Sequence, residues 1–329
     1  MKCTSRIAVL SLAAMLALSL CGCNKEKESK LANPYNIYQN AYNKNTDSKD
    51  MVSSFCFMAE ELCVGAKENI GTDSVSSEVA KAAGVFNTAT GEITYAQNIY
   101  DTMYPASTTK ILTAYLAIKY GNLEDIVTVS ENAVNLADDS SKCGLKAGDK
   151  MTLQDLLYGL MIKSGNDAAI AIAEHISGST DAFAQLMNDE ALKMGATGSH
   201  FVNPNGLPDE NHYTTVYDLY LITQNAAKDA VFRELIGTSS YEVNYTDAGG
   251  NAASMEWNAT NLYLTGEETL PEGFTVIGGK TGTTGAAGHC LVFLSTNVNQ
   301  EEIISIVLKA DCKSNLYMLM NEIIAGYGN

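Results

Sequence analysis

A chain of 329 residues, 46% hydrophobic and 18% charged, is long enough for one large domain or two small ones and has the composition of a globular protein. Its 38 acidic against 21 basic residues give a formal charge of −17, which argues against nucleic acid and anionic lipid headgroups as partners. Neither the cysteines nor the four histidines show zinc-type spacing, so no metal and no cofactor is expected.

At the N-terminus, Lys2 and Arg6 precede an apolar run over residues 7–20, which has the length of a signal h-region and is too short to span a bilayer as a helix. The run closes on Leu20-Cys21-Gly22-Cys23, which resembles a bacterial lipobox. Residues 1–22 therefore read as a lipoprotein signal peptide and Cys23 as the lipidated mature N-terminus, with an ordinary cleaved signal as the alternative. Loss of Lys2 and Arg6 takes the charge from −17 to −19, so membrane attachment has to come from acyl chains. Residues 23–55, polar and without a sustained period, read as a tether with a root-mean-square span of roughly 30 Å. The folded domain occupies 56–329. Its cysteines, Cys56, Cys63, Cys143, Cys290 and Cys312, are odd in number and read as buried thiols rather than disulfides.

Alternating apolar runs at 83–86 and 92–95, flanking a turn over 87–91, predict a β-hairpin. Pro105 opens an apolar helix from residue 107 to about 120, buried on most sides and carrying Ser107 in its first turn, where free N–H groups favour developing negative charge. Thr152 and Asp155 have capping-box form ahead of helical spacing over 153–161, and a second helix follows over 167–176. Residues 164–166 are the link between them. Further helices are predicted at 180–194, 215–227 and 315–326, and central strands at 290–294 and 303–308. Gly278-Gly279 leaves backbone bare enough for an edge strand that pairs with an extended peptide.

Three strings carry chemistry: Ser107-Thr108-Thr109-Lys110, Ser164-Gly165-Asn166 and Lys280-Thr281-Gly282. A serine hydroxyl attacks only when a base takes its proton, and three residues along a helix Lys110 is within reach. To act as a base it has to be uncharged part of the time, through burial and a neighbouring cation, for which Lys280 is the candidate. Ser107 opens the only Ser-x-x-Lys of the chain and Lys280 the only Lys-Thr-Gly, whereas the Ser-x-Asn strings at Ser130 and Ser295 read as a helix cap and a strand end. Structural roles are expected for His175, His200, His212 and His289, since neither a Gly-x-Ser-x-Gly elbow nor a His-Glu-x-x-His string is present.

The segments Tyr104-Pro-Ala-Ser-Thr-Thr-Lys-Ile-Leu112, Gly144-Leu-Lys-Ala-Gly148, residues 156–169 around Ser164, Asn203-Pro-Asn-Gly-Leu-Pro208, His212-Tyr-Thr-Thr215 and Gly279-Lys-Thr-Gly-Thr283 resemble the serine D-alanyl-D-alanine carboxypeptidases, the low-molecular-mass penicillin-binding proteins. The resemblance covers roughly residues 80–325. It implies the β-lactamase/DD-peptidase-like α/β fold: a mostly antiparallel central sheet with helices on both faces and an all-α subdomain. It further implies that Ser107 attacks the bond between the two terminal D-alanines of a peptidoglycan stem peptide while Lys110 takes its proton, and that β-lactams acylate the same serine. Ser164 would protonate the leaving D-alanine, and Asn166 would hold the acyl-side amide. Lys280, Thr281 and Thr283 would face the carboxylate across Gly282, with the Ser107 and Thr283 N–H groups as oxyanion hole.

Three features depart from the pattern. No β-rich second domain or C-terminal amphipathic anchor follows the closing helix, a role that Cys23 would take. The arginine expected after the last strand is missing, leaving Lys313 as a point charge in place of a bidentate fork. Cys143 adjoins the Gly144 segment and reads as a packing residue. The alternatives are a β-lactamase, for which the Glu-x-x-Leu-Asn string of deacylation is absent, and a non-catalytic β-lactam sensor or wall-binding lipoprotein.

Overall fold

The computed structural model describes residues 62–65 and 67–329; the segments expected to be signal peptide (1–22) and tether (23–55), with Cys23 and Cys56, lie outside the described residues. The expected hairpin is β1 (Ala82–Asn87) with β2 (Glu92–Gln97), its turn held by the N–H groups of Ala89 and Thr90 donating to Asn87 Oδ1. Four mid-chain strands follow, β3 (Ile126–Thr128), β4 (Lys150–Thr152), β5 (Ser240–Thr246) and β6 (Ala252–Asn258), and then β7 (Thr275–Thr284), β8 (Gly288–Thr296) and β9 (Glu302–Ala310). The main sheet has the order β2-β1-β9-β8-β7, with antiparallel pairing throughout. β7, which carries Lys280, is therefore an edge strand, as the paired glycines predict.

The helices are α1 (Lys110–Tyr120), α2 (Leu153–Tyr158), α3 (Asn166–Ser177), α4 (Thr180–Lys193), α5 (Val216–Ala226), α6 (Ala230–Gly237) and α7 (Lys313–Tyr327). Strands β8 and β9 are apolar on both faces because helices cover both. On the front, Val292, Leu294, Ile304 and Ile306 pack into one core with α1, α3 and α5. On the back, Leu291, Phe293, Ile303 and Val307 pack against Leu316, Leu319, Met320 and Ile323 of α7. Among the described residues no helix is long and apolar enough to cross a membrane.

Four differences from the sequence reading bear on the site. Residues Ala106–Thr109 form a 3-10 turn, entered through Ala106 at φ +48°, and the α-helix begins at Lys110. The helix over 153–161 breaks: after the capping box of Thr152 and Asp155, α2 ends at Tyr158 and a π-helical turn, Gly159–Lys163, runs into Ser164 at φ +62°. A second antiparallel sheet, β3-β4-β5-β6, is absent from the sequence reading; β3 and β4 have three residues each, too short to display a period. Finally, Cys63, Cys143 and Cys290 are buried free thiols as expected, but Cys312 is exposed, and its sulfur caps α7 by accepting from Asn315 N–H at 3.4 Å.

Candidate active site

The 3-10 turn presents Ser107 half-buried while burying Lys110 completely. Lys110 Nζ stands 2.8 Å from Ser107 Oγ, 2.7 Å from Asn166 Oδ1 and 2.7 Å from the Asn205 carbonyl oxygen. The two carbonyl oxygens can only accept, so they take two N–H donors of the amine. If the amine is uncharged, its lone pair is left for the Ser107 hydroxyl. Burial, and then the charge of Lys280, push the Lys110 amine well below its ordinary range, which favours that state.

Asn205 reaches Lys110 because Gly206, at φ +85°, lets its loop run against the nucleophile turn; a Cβ there would stand 1.8 Å from the Ala106 carbonyl oxygen. The next layer down is neutral. His212 Nδ1 accepts from Val202 N–H at 3.1 Å, so its Nε2–H is left to donate to Thr109 Oγ at 2.9 Å. Burial lowers His212 to about 4, consistent with an uncharged ring.

A second amine faces the second serine. The left-handed conformation at Ser164 brings its Oγ within 2.9 Å of Lys280 Nζ, which also donates to the Thr281 carbonyl at 2.9 Å. Burial lowers Lys280 to about 7. β7 can approach because residue 282 is glycine: a Cβ there would lie 2.9 Å from Ser107 N and 3.1 Å from the Pro105 carbonyl oxygen. Thr281 Oγ meets Thr260 Oγ at 2.6 Å, and Thr283 Oγ meets His289 Nδ1 at 3.2 Å.

The linking loop is held from below. The Asp167 carboxylate accepts from the N–H groups of Cys143, Gly144, Leu145 and Ala168, and Trp257 Nε1 donates to the Cys143 carbonyl at 3.0 Å. Asn166 Nδ2 donates to Ser140 Oγ at 2.7 Å. Burial first, then Asp167, keep Cys143 a thiol well above its usual range, in line with a packing role.

All eight candidate side chains and backbone positions thus meet in one cleft: Ser107, Lys110 and Asn166 in one cluster, Ser164 and Lys280 in the next, with Thr281, Gly282 and Thr283 on the strand edge. Lys313 is the exposed first residue of α7 and has no place in these contacts. Sequence reading missed Asn205, Ser140, Thr260 and His289 as partners. Asn205 alone had a signal, lying inside the 203–208 segment.

A family model described as D-alanyl-D-alanine carboxypeptidase matches residues 69–312. The chain is 32% identical over 245 residues to D-alanyl-D-alanine carboxypeptidase DacF of Bacillus subtilis, a match covering 72% of this chain and 59% of that protein. It is 34% identical over 227 residues to DacA of Haemophilus influenzae, covering 66% and 54%. The crystal structure of the Streptomyces K15 DD-transpeptidase superposes with a TM-score of 0.68 at 31% identity, covering 79% of this chain and 100% of that one. The chain spans less than two thirds of the length of these two curated relatives, but the match takes in the cleft with all three strings, and the chain belongs to the D-alanyl-D-alanine carboxypeptidase family.

Proposed function

We propose that this chain is a serine D-alanyl-D-alanine carboxypeptidase that removes the terminal D-alanine from peptidoglycan stem peptides through an acyl-enzyme on Ser107, and that β-lactams acylate the same residue. The observation that carries this reading is Lys110 Nζ at 2.8 Å from Ser107 Oγ, with its other contacts to two carbonyl oxygens and its charge disfavoured. Ser107 Oγ attacks the carbonyl carbon between the two D-alanines as its proton passes to Lys110. The developing oxyanion is met by the Ser107 and Thr283 N–H groups, on backbones that Gly282 allows to come together.

Ser164, paired with Lys280, then gives its proton to the departing amine nitrogen, and Lys280 restores it. Asn166 keeps one Nδ2–H for the substrate's acyl-side carbonyl while the other holds Ser140. Water finally releases the shortened peptide. Lys280, Thr281 and Thr283 bound the subsite of the terminal carboxylate. Residues 1–22 export the chain and Cys23 anchors it to the membrane through lipid, a reading supported by the signal-like run and its closing Cys-Gly-Cys.

Mass analysis of a stem pentapeptide incubated with the protein is expected to show loss of one alanine. Folded wild-type protein that leaves the peptide intact would overturn the proposal. Fluorescent penicillin followed by peptide mapping is expected to label Ser107, and rapid turnover of the label would point to a β-lactamase instead.

A further inference from the structure

The anionic end of a carboxypeptidase substrate meets no arginine in this cleft. Arg233, the only arginine among the described residues, donates to the Glu302 carboxylate and the Ala227 carbonyl. The strand register Glu302↔Thr296↔Thr275 sets that pair at the far end of β7, eight residues and roughly 27 Å from Thr283. Lys280, which bounds the carboxylate subsite, gives two of its three N–H donors to Ser164 and to the Thr281 carbonyl. What the edge strand does offer is a pair of hydroxyls. Thr281 and Thr283, two residues apart, leave the same face of β7 about 7 Å from one another. Each is backed by a side chain: Thr260 Oγ at 2.6 Å from Thr281 Oγ, and His289 Nδ1, directly across on β8, at 3.2 Å from Thr283 Oγ.

A hydroxyl has one hydrogen to give. If a ring nitrogen accepts it, nothing is left for the substrate; if a ring N–H donates to the oxygen, the hydroxyl hydrogen is free to point outward. A carboxylate only accepts, and it selects the second arrangement. We infer that His289 is the positioning residue for carboxylate recognition: its Nδ1–H donates to Thr283 Oγ, which turns the Thr283 O–H toward the terminal carboxylate of the substrate, an assignment that rests on the carboxypeptidase reading above. The arrangement takes the place of an arginine fork. It also revises the purely structural role expected for His289.

The test compares a diacetyl-lysyl-D-alanyl-D-alanine tripeptide with its C-terminal amide, using the full chain. Wild type is expected to prefer the acid. His289→Leu lowers kcat/KM on the acid about tenfold, mainly through KM, and changes the amide by less than about twofold. His289→Gln, whose amide N–H can replace the donor, recovers part of the acid preference. Thr283→Val gives the same loss as His289→Leu, and the double variant loses no more than either. Lys309→Ala and Lys313→Ala, which remove the exposed lysines at the end of β9 and the start of α7, leave the preference unchanged. An active wild type whose acid preference survives His289→Leu, or is lost only in a lysine variant, overturns the role of His289 alone. A wild type that cleaves neither peptide, releasing no D-alanine from the acid and no D-alaninamide from the amide, overturns the carboxypeptidase reading and this inference with it.

Discussion

The layer behind the main sheet and the layer in front of it are built for opposite ends. Behind, α7 seals Leu291, Phe293 and Val307 into an apolar core, and none of the buried charged side chains sits on α7. In front, the helical side of the molecule buries Lys110, Lys280, Asp167, Glu190, Asp218 and His212. Each buried charge or ring costs free energy unless neighbours satisfy it, so the front needs its carbonyls and amides placed to within hydrogen-bond range, whereas the back needs only shape and volume. Glu190 shows the difference. Burial would raise its carboxyl, but donors from Lys119, Lys193 and Tyr120 outweigh that and hold it at about 2, tying α1 to α4. The comparison teaches that the cleft is held by satisfied polar contacts, and that the apolar back offsets their cost.

The largest expected effect separates chemistry from folding. Ser107→Ala should abolish penicillin labelling and lower D-alanine release by about 10⁴-fold or more, while the thermal midpoint stays that of wild type. The back layer should behave in reverse. Leu319→Ala, fully buried under the sheet, should cost roughly 2–5 kcal/mol in a denaturant melt and leave kcat/KM untouched below the transition. Equal losses of activity and stability in both variants would erase the distinction between the layers.

Next in size is a pH effect confined to the front. Burial depresses His212 from 6.5 to about 4, so the unfolded chain binds a proton that the folded chain refuses. Stability is whole above pH 6.5 and falls as the pH drops toward 4, by roughly 3 kcal/mol for the full depression. Melts of His212→Gln should show a flatter slope over that window. The smallest effect concerns coupling between the amines: the charge of Lys280 helps to lower Lys110, so Lys280→Met should move the acid limb of penicillin acylation to higher pH. A limb that stays in place would leave burial as the sole cause.

Much of this cleft is legible in the sequence because its chemistry is partly local. Ser107 and Lys110 are three residues apart, the hairpin and the Thr152–Asp155 box are short-range patterns, and the glycines at 278, 279 and 282 announce close approach. What stays hidden is contact made by backbone or across long separations. The Asn205 carbonyl on Lys110 has no residue-type signature, Ser140 and Asn166 meet across a loop, and His289 faces Thr283 only once a register is set. The π turn before Ser164 continues a helical pattern and then departs from it with only Gly159 and Gly165 as local breakers, neither at the serine, so its left-handed conformation cannot be read in advance.

The central claim is an uncharged Lys110 amine beside the Ser107 hydroxyl. Protein labelled with ¹³C at lysine Cε, with Lys110 assigned by its loss in Lys110→Met, reports that charge directly through the Cε shift during a pH titration. The account predicts that Lys110 titrates well below the ordinary lysine value of 10.5. A Lys110 resonance that keeps its ammonium shift up to that value would contradict it.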